Sequence, residues 1–122
     1  MMDQAITRKQ FQALVAELDG TYRVMYELLA KMPIPMLIVE HQGDNPIEAI
    51  RTLARAHELV DMEELDEPLA VQVRAMIADW LTGYELAVAV ETYGPALHRV
   101  IGLKAALARF NVSAYYVASR LG

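Results

Sequence analysis

"GYELAVAVETYG", residues 83–94, is the stretch whose reading separates an all-helical chain from a mixed one. Tyr84, Leu86, Val88 and Val90 alternate with other residues in the period-two pattern of a strand, and glycines bound the run. A partner is available in "MLIVE" at 36–40, which is β-branched in part and lies between "PIP" at 33–35 and the turn-like "HQGDNP". A minor strand pair would then join 36–40 to 84–92. Upstream, however, Leu69, Val73, Met76, Ile77, Trp80 and Leu81 recur at helical spacing, and that helix continues naturally from Trp80 into the disputed run. We read 83–94 as helix and keep the strand pair as the alternative.

The rest of the chain is signed for helices. Thr7 and Gln10 form a capping box, in which each side chain satisfies an amide that the helix start leaves orphaned. Phe11, Leu14, Val15, Leu18, Tyr22, Met25, Leu28, Leu29 and Met32 then follow at spacings of three and four. The stripe keeps phase through Gly20, so one helix over about 7–31, bent at Asp19-Gly20, is expected; a helical hairpin split at Gly20 competes. Pro33 and Pro35 stop it. Asn45 as cap and Pro46 in the first helical position start a second helix, with Ile47, Ile50, Leu53, Ala54, His57 and Val60 as its inner face. Asp66 or Glu67 before Pro68 starts the third. Pro95 opens a fourth with apolar Leu97, Val100, Ile101, Leu107 and Phe110, and Ser113 caps a last short helix ending near Leu121. The expected fold is mainly α: a single-domain bundle of about five helices over 1–122, with a helix-turn-helix-like hairpin at 95–121.

Composition narrows the function classes. A chain of 122 residues can bury one core without staples. Its 55% apolar content is high for a soluble domain, which implies some apolar surface covered by another copy or a partner. The longest apolar run, "MPIPMLIV" at 32–39, is broken twice by proline and falls well short of the roughly 18 residues of a membrane span. The start, "MMDQAITRKQF", lacks the apolar segment and small-residue cleavage site of a secretion signal. The absence of cysteine excludes disulfides, thiolate catalysis and thiolate metal sites. A cytosolic protein with no membrane contact and no cofactor is expected. Net charge is −5, unevenly spread. Residues 61–91 hold Asp61, Glu63, Glu64, Asp66, Glu67, Asp79, Glu85 and Glu91 against Arg74 alone; residues 92–122 hold Arg99, Lys104, Arg109 and Arg120 with no acid. That polarity suits a nucleic acid, an acidic partner, or the chain's own acidic half.

"LARFNVSAYYVASRL" at 107–121 has apolar Phe110, a turn residue in Asn111, apolar Val112, capping Ser113, and Val117 and Leu121 turned inward. In this order it resembles the helix-turn-helix family, with Asn111 where a left-handed residue is wanted and Leu107 where the family favours a small one. The resemblance implies DNA contact through Lys104, Arg109, Ser113, Tyr115, Tyr116, Ser119 and Arg120. Of these, Lys104, Arg109 and Arg120 suit phosphates, while the groove-facing positions lack the Arg, Lys, Asn or Gln that grip base edges bidentately.

"ARAHELVD" at 54–61 looks like a damaged zinc-peptidase motif, and with "FNVS…RL" downstream it bears a fainter resemblance to ImmA/IrrE-type metallopeptidases. The resemblance puts His57 at the first ligand and Glu58 at the base, but Asp61 stands where the second histidine belongs and no third ligand follows. Metal would be left with His57 and Asp61, and the plainer reading is a half-buried histidine ahead of an acidic loop. No catalytic residue is assigned: serine occurs only at 113 and 119, His41 and His98 stand alone, and no glycine-rich phosphate loop is present.

The acidic run and the tyrosines suggest contact with another protein instead. Glu63, Glu64, Asp66 and Glu67 would steer a basic partner, and Tyr115 and Tyr116 are of a type favoured at interfaces. The leading expectation is a non-enzymatic regulator or inhibitor acting by protein–protein binding, or a homodimer. A DNA-binding regulator dimerised through its first helix is the alternative, and a degenerate peptidase-like protein the third.

Overall fold

Three long helices share one apolar repeat, and their packing makes the fold. The computed structural model describes residues 6–121, so the reading of residues 1–5 as free of a secretion signal lies outside the described residues. Four α-helices follow one another: α1 (Arg8–Ala30), α2 (Pro46–Leu59), α3 (Glu67–Tyr93) and α4 (Leu97–Leu121), with a one-turn 3₁₀ helix (Val60–Met62) after α2. The chain is a mainly α bundle, and no strand forms among the described residues.

The disputed stretch is helical because its burial follows steps of four and three. Leu69, Val73, Met76, Trp80, Gly83, Ala87 and Val90 form an unbroken buried seam along α3, the spacing of a coiled-coil face. Within the alternating set Val90 is buried and Val88 exposed, so period two does not govern this segment. Segment 36–40 is extended but unpaired, and the alternative strand pair does not form.

The same rule corrects the reading of the tail. Val100, Leu103, Leu107, Phe110, Ala114 and Val117 are buried at steps of three and four, and the series runs through Asn111 without a phase break. Asn111 is exposed within the continuous helix α4, and the described residues contain no non-glycine with positive φ. No turn forms at Asn111 and no cap at Ser113, so the hairpin expected at 95–121 is one helix. The fifth helix is thereby absorbed into α4.

In α1 the capping box forms as the sequence implied, with the Gln10 amide donating to the Thr7 hydroxyl at 3.1 Å and the Thr7 amide to Gln10 Oε1 at 2.8 Å. Gly20 lies on the solvent side of an unbroken helix, so the hairpin split does not occur. The helices α3 and α4 fold back on one another through Gly94-Pro95-Ala96. Gly94 has φ +101°, a conformation that side chains rarely adopt, and its amide closes α3 on the Val90 carbonyl.

Helix α1 lies across this pair, antiparallel to α3: Phe11 shares a concavity with Val90, and Leu18 meets Gly83. At Gly83 the three helices meet. A Cβ there would stand 3.3 Å from Leu18 Cδ1 and 3.6 Å from Ala106 Cβ. One turn away, buried Trp80 donates its indole N–H to the Leu18 carbonyl at 3.1 Å and packs between Tyr22 and Tyr84. Helix α2 is attached differently. Its close backbone approaches are to α3 and the 3₁₀ turn, while Ala49, Leu53 and Ala56 join the core that the other helices share. No helix among the described residues is long and apolar enough to cross a membrane.

Candidate functional site

The chain between α1 and α2 returns along α1 as an extended strap. Pro33 ends the helix, and the Met36 amide donates back to the Leu29 carbonyl at 2.9 Å. From the far side, the Glu63 carboxylate accepts the Ile34 amide at 2.9 Å. Further on, the Tyr22 hydroxyl donates to the Val39 carbonyl. Burial, with Tyr26 nearby, pushes the Tyr22 phenol up to about 12, so it stays a donor throughout the physiological range.

An open groove of about 240 Å³ lies between this strap and α2. Ile34, Leu37, Ala56, Leu59 and Met62 give it an apolar lining, and Arg55 contributes a charged lip. Several of these side chains face solvent although they are large and apolar: Leu37 is 74% exposed, Met62 70% and Ile34 57%. On the other flank of α2 a second apolar concavity of about 360 Å³ is lined by Ile50, Leu81, Tyr84 and Val88, with Glu85 at its edge. The inner face of α2 is only in part the one the sequence suggested: Leu53 and Val60 are buried as expected, but Ala49 and Ala56 complete the face, whereas Ile47, Ile50 and Ala54 are exposed.

The acidic residues expected to greet a partner are mostly occupied within the chain. Glu63 is turned inward and holds Ile34, a correction to its reading as a contact residue. Asp66 caps α3 by accepting the Leu69 amide at 2.9 Å and pairs with Arg120. The Leu69 amide first, and Arg120 second, hold the Asp66 carboxyl below the usual carboxylate range. Arg120 in turn donates to the Tyr116 hydroxyl at 2.8 Å, so Asp66, Tyr116 and Arg120 meet where the start of α3 and the end of α4 lie side by side. Glu64 and Glu67 remain exposed and enter no ion pair among the described residues.

The basic tail is engaged in the same way. Arg109 donates to Asp79 at 3.1 Å, so two cross-helix pairs, Arg109–Asp79 and Arg120–Asp66, join the acidic and basic halves. Of the residues assigned to DNA, Ser113 is buried in the bundle and Tyr116 is half-buried. The Ser119 hydroxyl donates to the Tyr116 carbonyl at 2.8 Å. Lys104 and Tyr115 are exposed, Tyr115 at 79%. These residues do not form the face of a separate recognition helix, because the turn that would present it is absent.

His57 is half-buried on α2, and Asp61, in the 3₁₀ turn, is held by Arg74. Among the described residues no three His, Asp or Glu side chains gather as metal ligands. Comparison of the chain with protein-family models, with curated proteins and with solved structures yields no match.

The residues that sequence reasoning missed are Ile34, Leu37 and Met62. Their signal was present in the apolar excess and in the proline-interrupted run at 32–39. Proline explained where the helix stopped, but not which side chains the strap would leave outside.

Proposed function

We propose that the protein acts by binding another protein, with the groove between the 34–38 strap and α2 as its docking face. The observation that carries this reading is the clustering of exposed Ile34, Leu37 and Met62 around an open apolar concavity. Single apolar side chains on a surface are ordinary, but a cluster lining a concavity marks a place where another molecule excludes water. The 55% apolar composition supports the same reading. The protein is then a regulator or inhibitor of what it holds, with no reaction of its own, and its lack of cysteine suits a reducing, cytosolic setting.

A second reading, self-association through α4, is favoured by the outward placement of Leu97, Ile101, Val112 and Tyr115 along that helix. DNA binding has less support, since Arg109 and Arg120 already face Asp79 and Asp66.

Selection of a displayed random-peptide library against the protein tests the leading reading, with counter-selection on the double variant Leu37→Glu, Met62→Glu. The expected result is a set of peptides retained by the native chain and released by the variant. Peptides indifferent to both substitutions would remove the groove from consideration. Sedimentation velocity on the native chain and on Val112→Glu tests the second reading, which requires a dimer that the substitution dissociates.

A further inference from the structure

The strap has the character of a sheet strand that lacks its neighbour. Met36 and Ile38 turn inward, Leu37 turns outward, and Val39 is half-buried. The ends of the segment are tied, the Met36 amide to the Leu29 carbonyl and the Val39 carbonyl to the Tyr22 hydroxyl. Between these ties, the amide and carbonyl of Leu37 have no backbone partner among the described residues, and in an extended chain both point to the same edge. An unpaired apolar edge is a template for another strand. Pro35 has no amide to offer and the Met36 amide is taken by Leu29, so the usable edge centres on Leu37.

We propose that this edge takes up an extended segment of the partner protein by strand addition, placing an apolar side chain in the groove and a carboxylate against Arg55. The inference rests on the reading of the groove as a docking face and names the chemistry of what docks there. Backbone pairing at Leu37 supplies affinity, and the groove selects the side chain that points into it. Charge supplies the second selection. Arg55 is exposed at the lip and enters no ion pair among the described residues. The one carboxylate lining the groove, Glu63, is already occupied by the Ile34 amide. The charge that the lining leaves unpaired is thus Arg55, which favours an acidic residue and repels a basic one. A second copy of the strap is a poorer occupant, because the carboxylate it carries, Glu40, lies against its own Arg23 at 3.5 Å.

Three fluorescein-labelled peptides test the proposal by anisotropy. The first alternates valine with threonine and carries one central glutamate; the second has lysine in place of that glutamate; the third is the first with the amides of one edge N-methylated. The glutamate peptide is expected to bind, and the lysine peptide to bind at least about fivefold more weakly. That preference reverses on Arg55→Glu, and N-methylation or Leu37→Glu costs about tenfold or more. Both variants lie on the surface, and unchanged melting curves verify that they fold. Hydrogen exchange on the complex adds a direct readout, in which the Leu37 amide slows on binding.

Binding of none of the peptides, equal binding of the N-methylated one, or unchanged exchange at Leu37 overturns strand addition. Library peptides that depend on the groove but show helical spacing also overturn it, while leaving the docking face in place. A library with no groove-dependent members removes both. A native dimer that Leu37→Glu dissociates makes the occupant a second copy and overturns the proposal.

Discussion

The buried carboxylate of Glu63 accepts the backbone amide of Ile34 at 2.9 Å, linking the residue just past the 3₁₀ turn to the strap that follows α1. An acid from the most charged stretch of the chain thus shapes the groove from within. Glu63→Ala leaves the amide without its acceptor and is expected to cost about 1–3 kcal/mol of stability, read in urea unfolding. Glu63→Gln keeps an acceptor oxygen and loses less. Equal losses would mean that the contact contributes nothing specific.

Asn111 distinguishes a continuous helix from a turn. Because it lies exposed inside α4, Asn111→Ala is expected to stabilise the chain by a few tenths of a kcal/mol, the propensity difference between the two residues. A left-handed turn residue would give the opposite sign, since alanine is strained there. Thermal melting of the two proteins decides.

Two glycines should respond in opposite directions. Gly20 is exposed within α1 and a Cβ there meets nothing within 4 Å, so Gly20→Ala is expected to stabilise by up to about 1 kcal/mol. Gly83 sits at the meeting of three helices, with Leu18 Cδ1 at 3.3 Å from a Cβ position. Gly83→Val should therefore destabilise by about 1–3 kcal/mol through overpacking. Chemical denaturation of both variants checks the contrast.

Stability should fall at both pH extremes for identifiable reasons. The Asp66 carboxyl is lowered in the fold, so its contribution is present above the ordinary carboxylate value and is lost as pH falls through the lowered one. Asp66→Asn is expected to flatten part of the acid limb of the melting temperature. Tyr22 is raised to about 12, so its contribution is complete below the unfolded value of about 10 and is lost as pH rises toward 12. Tyr22→Phe should weaken that alkaline limb, and at neutral pH it costs about 1 kcal/mol for the bond to Val39.

The sequence made the helices legible wherever the local signal and the packing signal agreed. Thr7 with Gln10, Asn45 with Pro46, and Asp66 ahead of Pro68 each mark a start that the fold uses, because a cap is decided within one turn of chain. The tail misled for the same reason. "FNVS" offers turn and cap chemistry locally, but Phe110, Ala114 and Val117 continue a seam that begins at Val100, and burying that seam outweighs a side-chain cap. The candidate site was less legible. Which of Met36, Leu37 and Ile38 would face outward depends on where α2 settles, and along α2 Leu53 and the C-cap Val60 were legible while Ile47 and Ile50 misled, because small Ala49 and Ala56 are buried in their stead. Of the three uses that the charge polarity left open, Asp79 with Arg109 and Asp66 with Arg120 take the chain's own acidic half, which only the packing of α3 on α4 decides.

The attachment of α2, which closely approaches only α3 and the 3₁₀ turn, has a consequence for motion. The three long helices pack on one another and should open together, whereas α2 can detach by giving up its own contribution, Ala49, Leu53 and Ala56, to the shared core. Its amides should accordingly exchange with solvent at a lower free energy than those of α3, as a separate cooperative unit. The wall of the groove is then its softest part, and a docked segment would raise the protection of α2 toward that of the bundle.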